Sequence, residues 1–258
     1  MSKDTAPPPR NALVTGAANR IGATIARRLA EAGYGVAIHY RASAEPARAL
    51  VAEIEAAGGR AAIVRADLES RAERGHLVAE AATRVGPLTV LVNNASVFEP
   101  DTVADLDPAL WDTHFAIHAE APVFLARDFA AQLPKGVSGN IINMIDERVL
   151  HLSPDFFSYT LSKSTLWAAT RTLAQTLAPQ IRVNAIGPGP TLKNTHQSQA
   201  DFERSVARLP LRQGATPNDI AEGVLYILAA RAMTGQMLAL DGGEHLEWAE
   251  RNGPTPRK

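Results

Sequence analysis

Asn11-Ala12-Leu13-Val14-Thr15-Gly16-Ala17-Ala18-Asn19-Arg20-Ile21-Gly22 joins a short apolar run to a periodic segment through a turn of small residues. The run reads as a buried strand. From Ile21 to Ala32 the apolar residues Ile21, Ile25 and Leu29 recur at helical spacing, and Gly33 closes the segment. A glycine-bearing turn between a strand and a helix lets backbone N–H groups approach a pyrophosphate, and the helix N-terminus adds a favourable field. Small-residue turns also occur between β and α elements with no ligand, so the turn alone leaves both readings open.

The same alternation continues outward. Gly35–Tyr40, Ala61–Arg65, Val90–Asn93, Asn140–Met144, Arg182–Ile186 and Met237–Leu240 read as strands. Helices are expected at Glu45–Ala57, Arg71–Val85, Leu110–Leu133, Phe157–Leu177 and Asn218–Ala229. The strand runs are continuously apolar, as in a parallel sheet covered on both faces. The fold class is therefore α/β: one Rossmann-type, doubly wound parallel sheet of about seven strands. Residues 1–10 and 247–258 read as proline-bearing tails around one domain spanning 11–246. Gly187 to Pro210 is polar and long for a connection, which predicts a substrate lid, with Thr195 to Arg204 its mobile part.

Composition narrows the chemistry. The chain has 258 residues, 26 Lys+Arg against 27 Asp+Glu, and no cysteine. Absent cysteines exclude a disulfide scaffold, thiolate metal sites and a cysteine nucleophile. Neutral balance argues against nucleic-acid binding. No apolar run approaches the ~20 residues of a membrane helix, and no signal-peptide pattern opens the chain, so a cytoplasmic location is expected.

The end of the second strand bears on the cofactor. A carboxylate there commonly binds the ribose hydroxyls of NAD. This chain has His39-Tyr40-Arg41-Ala42-Ser43 instead. Arg41 and Ser43 could hold a 2′-phosphate, which favours NADPH; a solvated loop arginine is the other reading. Arg20 is a second cation beside the phosphate turn, able to reach phosphate or substrate. Asp67 could accept from the adenine amine or cap the next helix.

Tyr159-Thr160-Leu161-Ser162-Lys163 places Tyr and Lys one turn apart on a helix face. With the turn at 15–22, Asn93-Asn94-Ala95 and Pro188-Gly189, it falls at the carboxyl ends of strands, where such sheets bind ligands.

At this point the chain resembles the short-chain dehydrogenase/reductase family, over about Asn11 to Gly243. The family's glycine turn corresponds to Gly16 and Gly22, its Asn-Asn-Ala-Gly motif to Asn93, Asn94, Ala95 and Ser96, and its Tyr-x-x-x-Lys pair to Tyr159 and Lys163. The resemblance implies that Tyr159 gives a proton while NADPH gives hydride, and that Lys163 holds the nicotinamide ribose and lowers the tyrosine pKa. The implied cofactor set comprises Gly16, Arg20, Ile21, Gly22, Tyr40, Arg41, Ser43, Asp67, Leu68, Asn94, Ala95, Ser96, Tyr159, Lys163, Pro188 and Gly189. Pairing of the two long helices across subunits is also implied, giving a homotetramer or homodimer.

Two positions depart from the family pattern. Its catalytic serine stands where this chain has Asp146, and its helix asparagine where this chain has His118. The aspartate resembles the pteridine reductase and dihydromonapterin reductase branch. So do Thr15 to Arg20, His39-Tyr40, and Asn94-Ala95-Ser96-Val97-Phe98. That branch implies a pterin-like substrate touched by Arg20, Ser96, Phe98, Asp146 and Tyr159, with the ring between Phe98 and the nicotinamide. A carboxyl suits a pterin because it can accept an N–H or supply a proton to a ring nitrogen. Keeping Asp146 protonated near pH 7 costs roughly 4 kcal/mol, so orientation of Tyr159 and substrate is its first role and proton relay its second, under mildly acidic conditions. A carbonyl reductase of 3-ketoacyl or sugar ketones is the alternative, and a non-catalytic NADPH sensor a third. His114 and His118 lie four apart, but no third ligand accompanies them and no metal is expected.

Overall fold

The computed structural model describes residues 9–246. Most of the two expected tails lies outside those residues. Arg10 is engaged in the fold: its carbonyl accepts the Gly35 N–H at 2.8 Å and its guanidinium lies over the Tyr34 ring.

Seven parallel strands form one sheet in the order β3-β2-β1-β4-β5-β6-β7. They are β1 (Asn11–Val14), β2 (Gly35–Tyr40), β3 (Arg60–Arg65), β4 (Val90–Asn93), β5 (Gly139–Met144), β6 (Ile181–Pro188) and β7 (Met237–Leu240). Helices cover both faces: α1 (Arg20–Glu31), α2 (Ala44–Ala56), α3 (Arg71–Val85), α4 (Pro108–Phe115), α5 (Ala121–Gln132), α6 (Phe157–Leu177), α7 (Gln199–Arg208) and α8 (Pro217–Ala229). One apolar layer packs Ile25 and Leu29 of α1, Leu50 and Ile54 of α2 and Val224 and Ile227 of α8 on the sheet. The opposite layer holds Leu77 of α3 and Leu125 and Phe129 of α5. This two-sided burial is why the strands read as unbroken apolar runs.

Strand order reverses between β1 and β4, which pair through Leu13 and Leu91. A doubly wound sheet opens a crevice at this point. The Thr15 hydroxyl accepts the Asn94 and Ala95 N–H groups at 2.9 and 3.0 Å, tying the two strand ends together there.

The structure corrects one expectation and adds an element to another. The helix expected over Leu110–Leu133 is α4 and α5 joined by a π-helical turn at Ala116–Glu120, which carries His118. Such π-bulges are single turns inside otherwise α-helical segments, so the sequence reads as one continuous helix across it. The expected lid contains α7, whose N-terminus is closed by a Ser198–Asp201 capping box. None of its residues is buried.

Candidate active site

A cleft of about 330 Å³ opens at the switch point. Gly16, Arg20, Ile21 and Gly22 line it from the first turn, Arg41, Asp67 and Leu68 from the ends of β2 and β3, and Asn94, Ala95 and Ser96 from the end of β4. Tyr40, Ser43, Tyr159, Lys163, Pro188 and Gly189 of the expected cofactor set lie outside its lining, as do Phe98 and Asp146 of the expected substrate set. Gly189 instead packs directly against Asp241.

The turn needs its glycines. Gly16 has φ +62°, and a Cβ there would stand 2.9 Å from Ala95 Cα. At Gly22 a Cβ would stand 2.4 Å from the Gly16 carbonyl oxygen and 2.5 Å from Asn94 Nδ2. Asn94 Nδ2 donates to the Thr15 carbonyl at 2.8 Å, so the asparagine braces the turn. His39 braces it from behind, a role missed in the sequence. Its Nδ1 accepts the Gly16 N–H at 3.0 Å, so Nε2 carries the ring proton and faces the Ala66 carbonyl at 3.1 Å. Burial lowers its pKa to about 4, and the ring is neutral at physiological pH.

The cations of the cleft already have partners. Arg41 pairs with Glu69 at 2.7 Å, and the other Glu69 oxygen accepts from the Thr113 hydroxyl at 2.9 Å. A 2′-phosphate reaching Arg41 would share it with Glu69. Arg20 adopts φ 54° and donates to the carbonyls of Leu192 and Lys193 at 3.4 and 3.1 Å. It therefore bridges the phosphate turn and the segment leading to α7. Asp67 does not cap α3. It accepts the Glu69 N–H at 3.0 Å, and Ser70 provides the cap.

The Tyr–Lys pair sits on α6, 4% and 2% exposed. Tyr159 donates its hydroxyl proton to Asp146 Oδ2 at 2.7 Å, and Asp146 Oδ1 accepts the Arg148 N–H at 3.0 Å. Burial raises the Asp146 pKa, which brings its protonated form closer to neutral pH. Burial and then the Asp146 carboxylate push the Tyr159 phenol well above its ordinary value, while the Ser96 hydroxyl opposes them. Lys163, whose Nζ lies 5.6 Å from the Tyr159 ring centroid, does not outweigh them, and the phenol keeps its proton, as a donor must. Lys163 Nζ donates to the Met144 carbonyl at 2.8 Å, and burial brings its pKa down to about 8.

His118 is not wired to Lys163. Its Nε2 accepts the Val97 N–H at 3.1 Å and lies 3.0 Å from the Ser96 hydroxyl. A backbone N–H can only donate, so Nδ1 carries the proton and gives it to Ser162 Oγ at 2.9 Å. His114 Nδ1 meets Ser158 Oγ at 2.7 Å. Both histidines thus bind serines of α6. Phe98 stacks on Phe156 at 4.2 Å and stands edge-on to Tyr159 at 4.8 Å. Phe156, which the sequence does not single out, adds a second aromatic behind Phe98, with the Arg148 guanidinium 5.0 Å from its ring centroid.

Behind Asp146, Glu147 is 5% exposed and its Oε2 has no partner. Burial, then Glu244 and Asp146, raises its pKa to about 9. A folded-state pKa above the unfolded value means that stability falls as pH rises from the ordinary carboxyl range toward 9. Glu147→Gln should remove this slope. Urea midpoints at pH 5 and pH 8 should show a gain on the order of 2 kcal/mol over the parent, confined to the higher pH.

Comparison with known proteins places these residues in a family. Residues 16–245 match the family model described as enoyl-(acyl carrier protein) reductase. The FolM alternative dihydrofolate reductase 1 of Brucella canis, crystallised with NADP, is 50% identical, with TM-score 0.91, over 94% of this chain and 96% of that one. Its Brucella suis counterpart, also with NADP, is 51% identical, with TM-score 0.91, over 94% and 97%. The 3-oxoacyl-[acyl-carrier-protein] reductase FabG of Staphylococcus aureus (strain Mu50) is 30% identical over 92% of this chain and 98% of its own length. No helix among the described residues is long and apolar enough to cross a membrane. With a family match over most of its length and relatives aligned nearly end to end, the chain belongs to the short-chain dehydrogenase/reductase family.

Proposed function

We propose that this protein reduces the C=N bond of a dihydropterin, such as the ring of dihydrofolate, with hydride from NADPH. The observation that carries this reading is the 2.7 Å hydrogen bond from Tyr159 to a carboxylate, Asp146. A ketone needs one proton at one oxygen. A pterin presents ring nitrogens and an amine, which a carboxyl can engage as acceptor or as acid. The FolM relatives, alike over nearly the whole chain, support the same substrate class and cofactor.

The residues present fit NADPH. The close approach of Gly16 and Gly22 leaves backbone room for a pyrophosphate, and Arg41 directly follows β2, where a carboxylate would commonly bind the ribose hydroxyls of NAD. Bound NADPH supplies the hydride. Tyr159 holds the proton for the nitrogen of the C=N bond at its hydroxyl. Asp146 orients that hydroxyl and, when protonated, restores its proton. Lys163 presents an ammonium for the nicotinamide ribose. Ser96 and Phe98 form the substrate side, Phe98 offering a ring face once parted from Phe156. Arg20 would bind phosphate or substrate while keeping its hold near Lys193.

Reduction of a 3-ketoacyl thioester is the second reading, favoured by the likeness to FabG. Asp146 weighs against it. A sensor without turnover would have no use for the Tyr159–Asp146 bond. Self-association through α5 and α6 completes the proposal, since Phe124 and Leu161 are 40% and 38% exposed there.

Loss of NADPH absorbance on adding dihydrofolate or dihydromonapterin tests the function. Turnover of dihydropterin well above that of 3-ketoacyl thioesters is expected. Turnover of ketones alone would overturn it.

A further inference from the structure

Helix α6 carries Tyr159 two residues after its start, so the geometry of its N-terminus sets the proton donor. The first N–H groups of a helix have no partners within it. Phe156, in the capping position, has φ 56° and ψ 48° and offers no side-chain cap. The cap comes from a distant segment. Both carboxylate oxygens of Asp101 accept the Ser158 N–H, at 3.1 and 3.2 Å, and the Asp101 carbonyl accepts the Phe157 N–H at 3.1 Å. Asp101 is 4% exposed. A carboxylate at this depth is held by those donors and by the positive end of α6.

Asp101 belongs to the segment between β4 and α4, which also carries Ser96 and Phe98. That segment is fastened a second time at Val97, whose N–H donates to His118 Nε2 at 3.1 Å. The two histidines extend the fastening to α6. His114 meets Ser158 at 2.7 Å and His118 meets Ser162 at 2.9 Å, so residues four apart on one helix bind residues four apart on the other. Tyr159 stands beside these two rungs, its ring edge-on to His114 at 5.9 Å and to His118 at 5.2 Å.

We propose that Asp101 is a positioning residue, which clamps the Ser96–Phe98 segment to the start of α6 and so fixes the Tyr159 hydroxyl against the substrate side of the cleft. It touches no reacting atom. The proposal rests on Tyr159 as proton donor. A displacement of about 1 Å at a reacting group costs up to 10²-fold in rate.

Asp101→Ala and Asp101→Asn separate the clamp from simple folding. Asp101→Ala should lower kcat on dihydrofolate by about 10- to 100-fold, with NADPH affinity within about twofold of the parent. Asp101→Asn keeps an acceptor oxygen and should recover most of that loss. Hydrogen exchange needs no substrate. In both variants the Phe157 and Ser158 amides should exchange faster than in the parent, most in Asp101→Ala, while β4 and β5 amides hold. An unchanged kcat in folded Asp101→Ala would overturn the proposal, as would equal losses in kcat and NADPH affinity. If Asp101→Ala does not fold, Asp101→Asn decides: unaltered Phe157 and Ser158 exchange together with unaltered kcat rejects the clamp. If the parent turns over no pterin, the exchange result still judges the clamp, and the substrate reading fails separately.

Discussion

Tyr159→Phe should lower kcat for dihydropterin reduction by about 10²–10⁴, the range of a positioned general acid, and leave NADPH affinity within about twofold. The substitution removes one oxygen from a ring that is 4% exposed and packed edge-on against Phe98, His114 and His118. The packing survives, so the fold should too. What is lost is the proton that burial and Asp146 keep on the phenol. It also deprives Asp146 Oδ2 of its 2.7 Å donor. Stopped-flow reduction and a NADPH titration separate the two effects, and an unchanged rate would remove Tyr159 from the mechanism.

Asp146→Ser has the second largest expected effect. Dihydropterin turnover should fall by about 10²-fold or more, as for loss of an acid–base group, whereas any turnover of a ketone should persist or rise. The pH profile carries the sign. Burial raises the Asp146 pKa, so protonated Asp146 survives to higher pH than a solvated aspartate, and parent activity should decline as pH rises through that value. The serine variant should lose this acidic dependence. A second decline is expected in the parent above pH 8, where Lys163, its pKa lowered to about 8 by burial, gives up its charge; in the variant, which lacks the Asp146 carboxylate that raises this pKa, the decline should begin at lower pH. A profile identical in parent and variant at low pH would show that the carboxyl takes no part in proton supply.

Much of this was legible in the chain because it is written in local pattern. Apolar runs alternating with segments of helical period place all seven strands, since burial on both faces leaves little room for polar alternation. The glycine turn and the Tyr159–Lys163 spacing are also local. The register of Asp146 with Tyr159 spans one loop and proves to be a direct hydrogen bond. Long-range partnerships left no such mark. Glu69 meets Arg41 from 28 residues away, and Asp101 meets Ser158 from 57. Nothing in the neighbourhood of either carboxylate distinguishes it from a solvated one. His39 stands in the sequence only as a neighbour of Tyr40, because its service to Gly16 depends on two strand ends meeting. On α5, Phe129 is core, whereas Phe124 is 40% exposed. The π-helical turn alters which face each residue presents, yet the sequence reads as one continuous helix across it.

The central claim is that hydride passes from NADPH to the carbon of a dihydropterin C=N bond while Tyr159 protonates the nitrogen. Incubation of the protein with dihydrofolate and NADPH deuterated at the nicotinamide C4, followed by mass spectrometry and NMR of the product, tests it most directly. The account predicts one deuterium on the reduced ring carbon of tetrahydrofolate, formed by the parent and lost in Tyr159→Phe. A pterin that stays unreduced, while a 3-ketoacyl thioester under the same conditions takes the deuterium at its hydroxyl-bearing carbon, would contradict it.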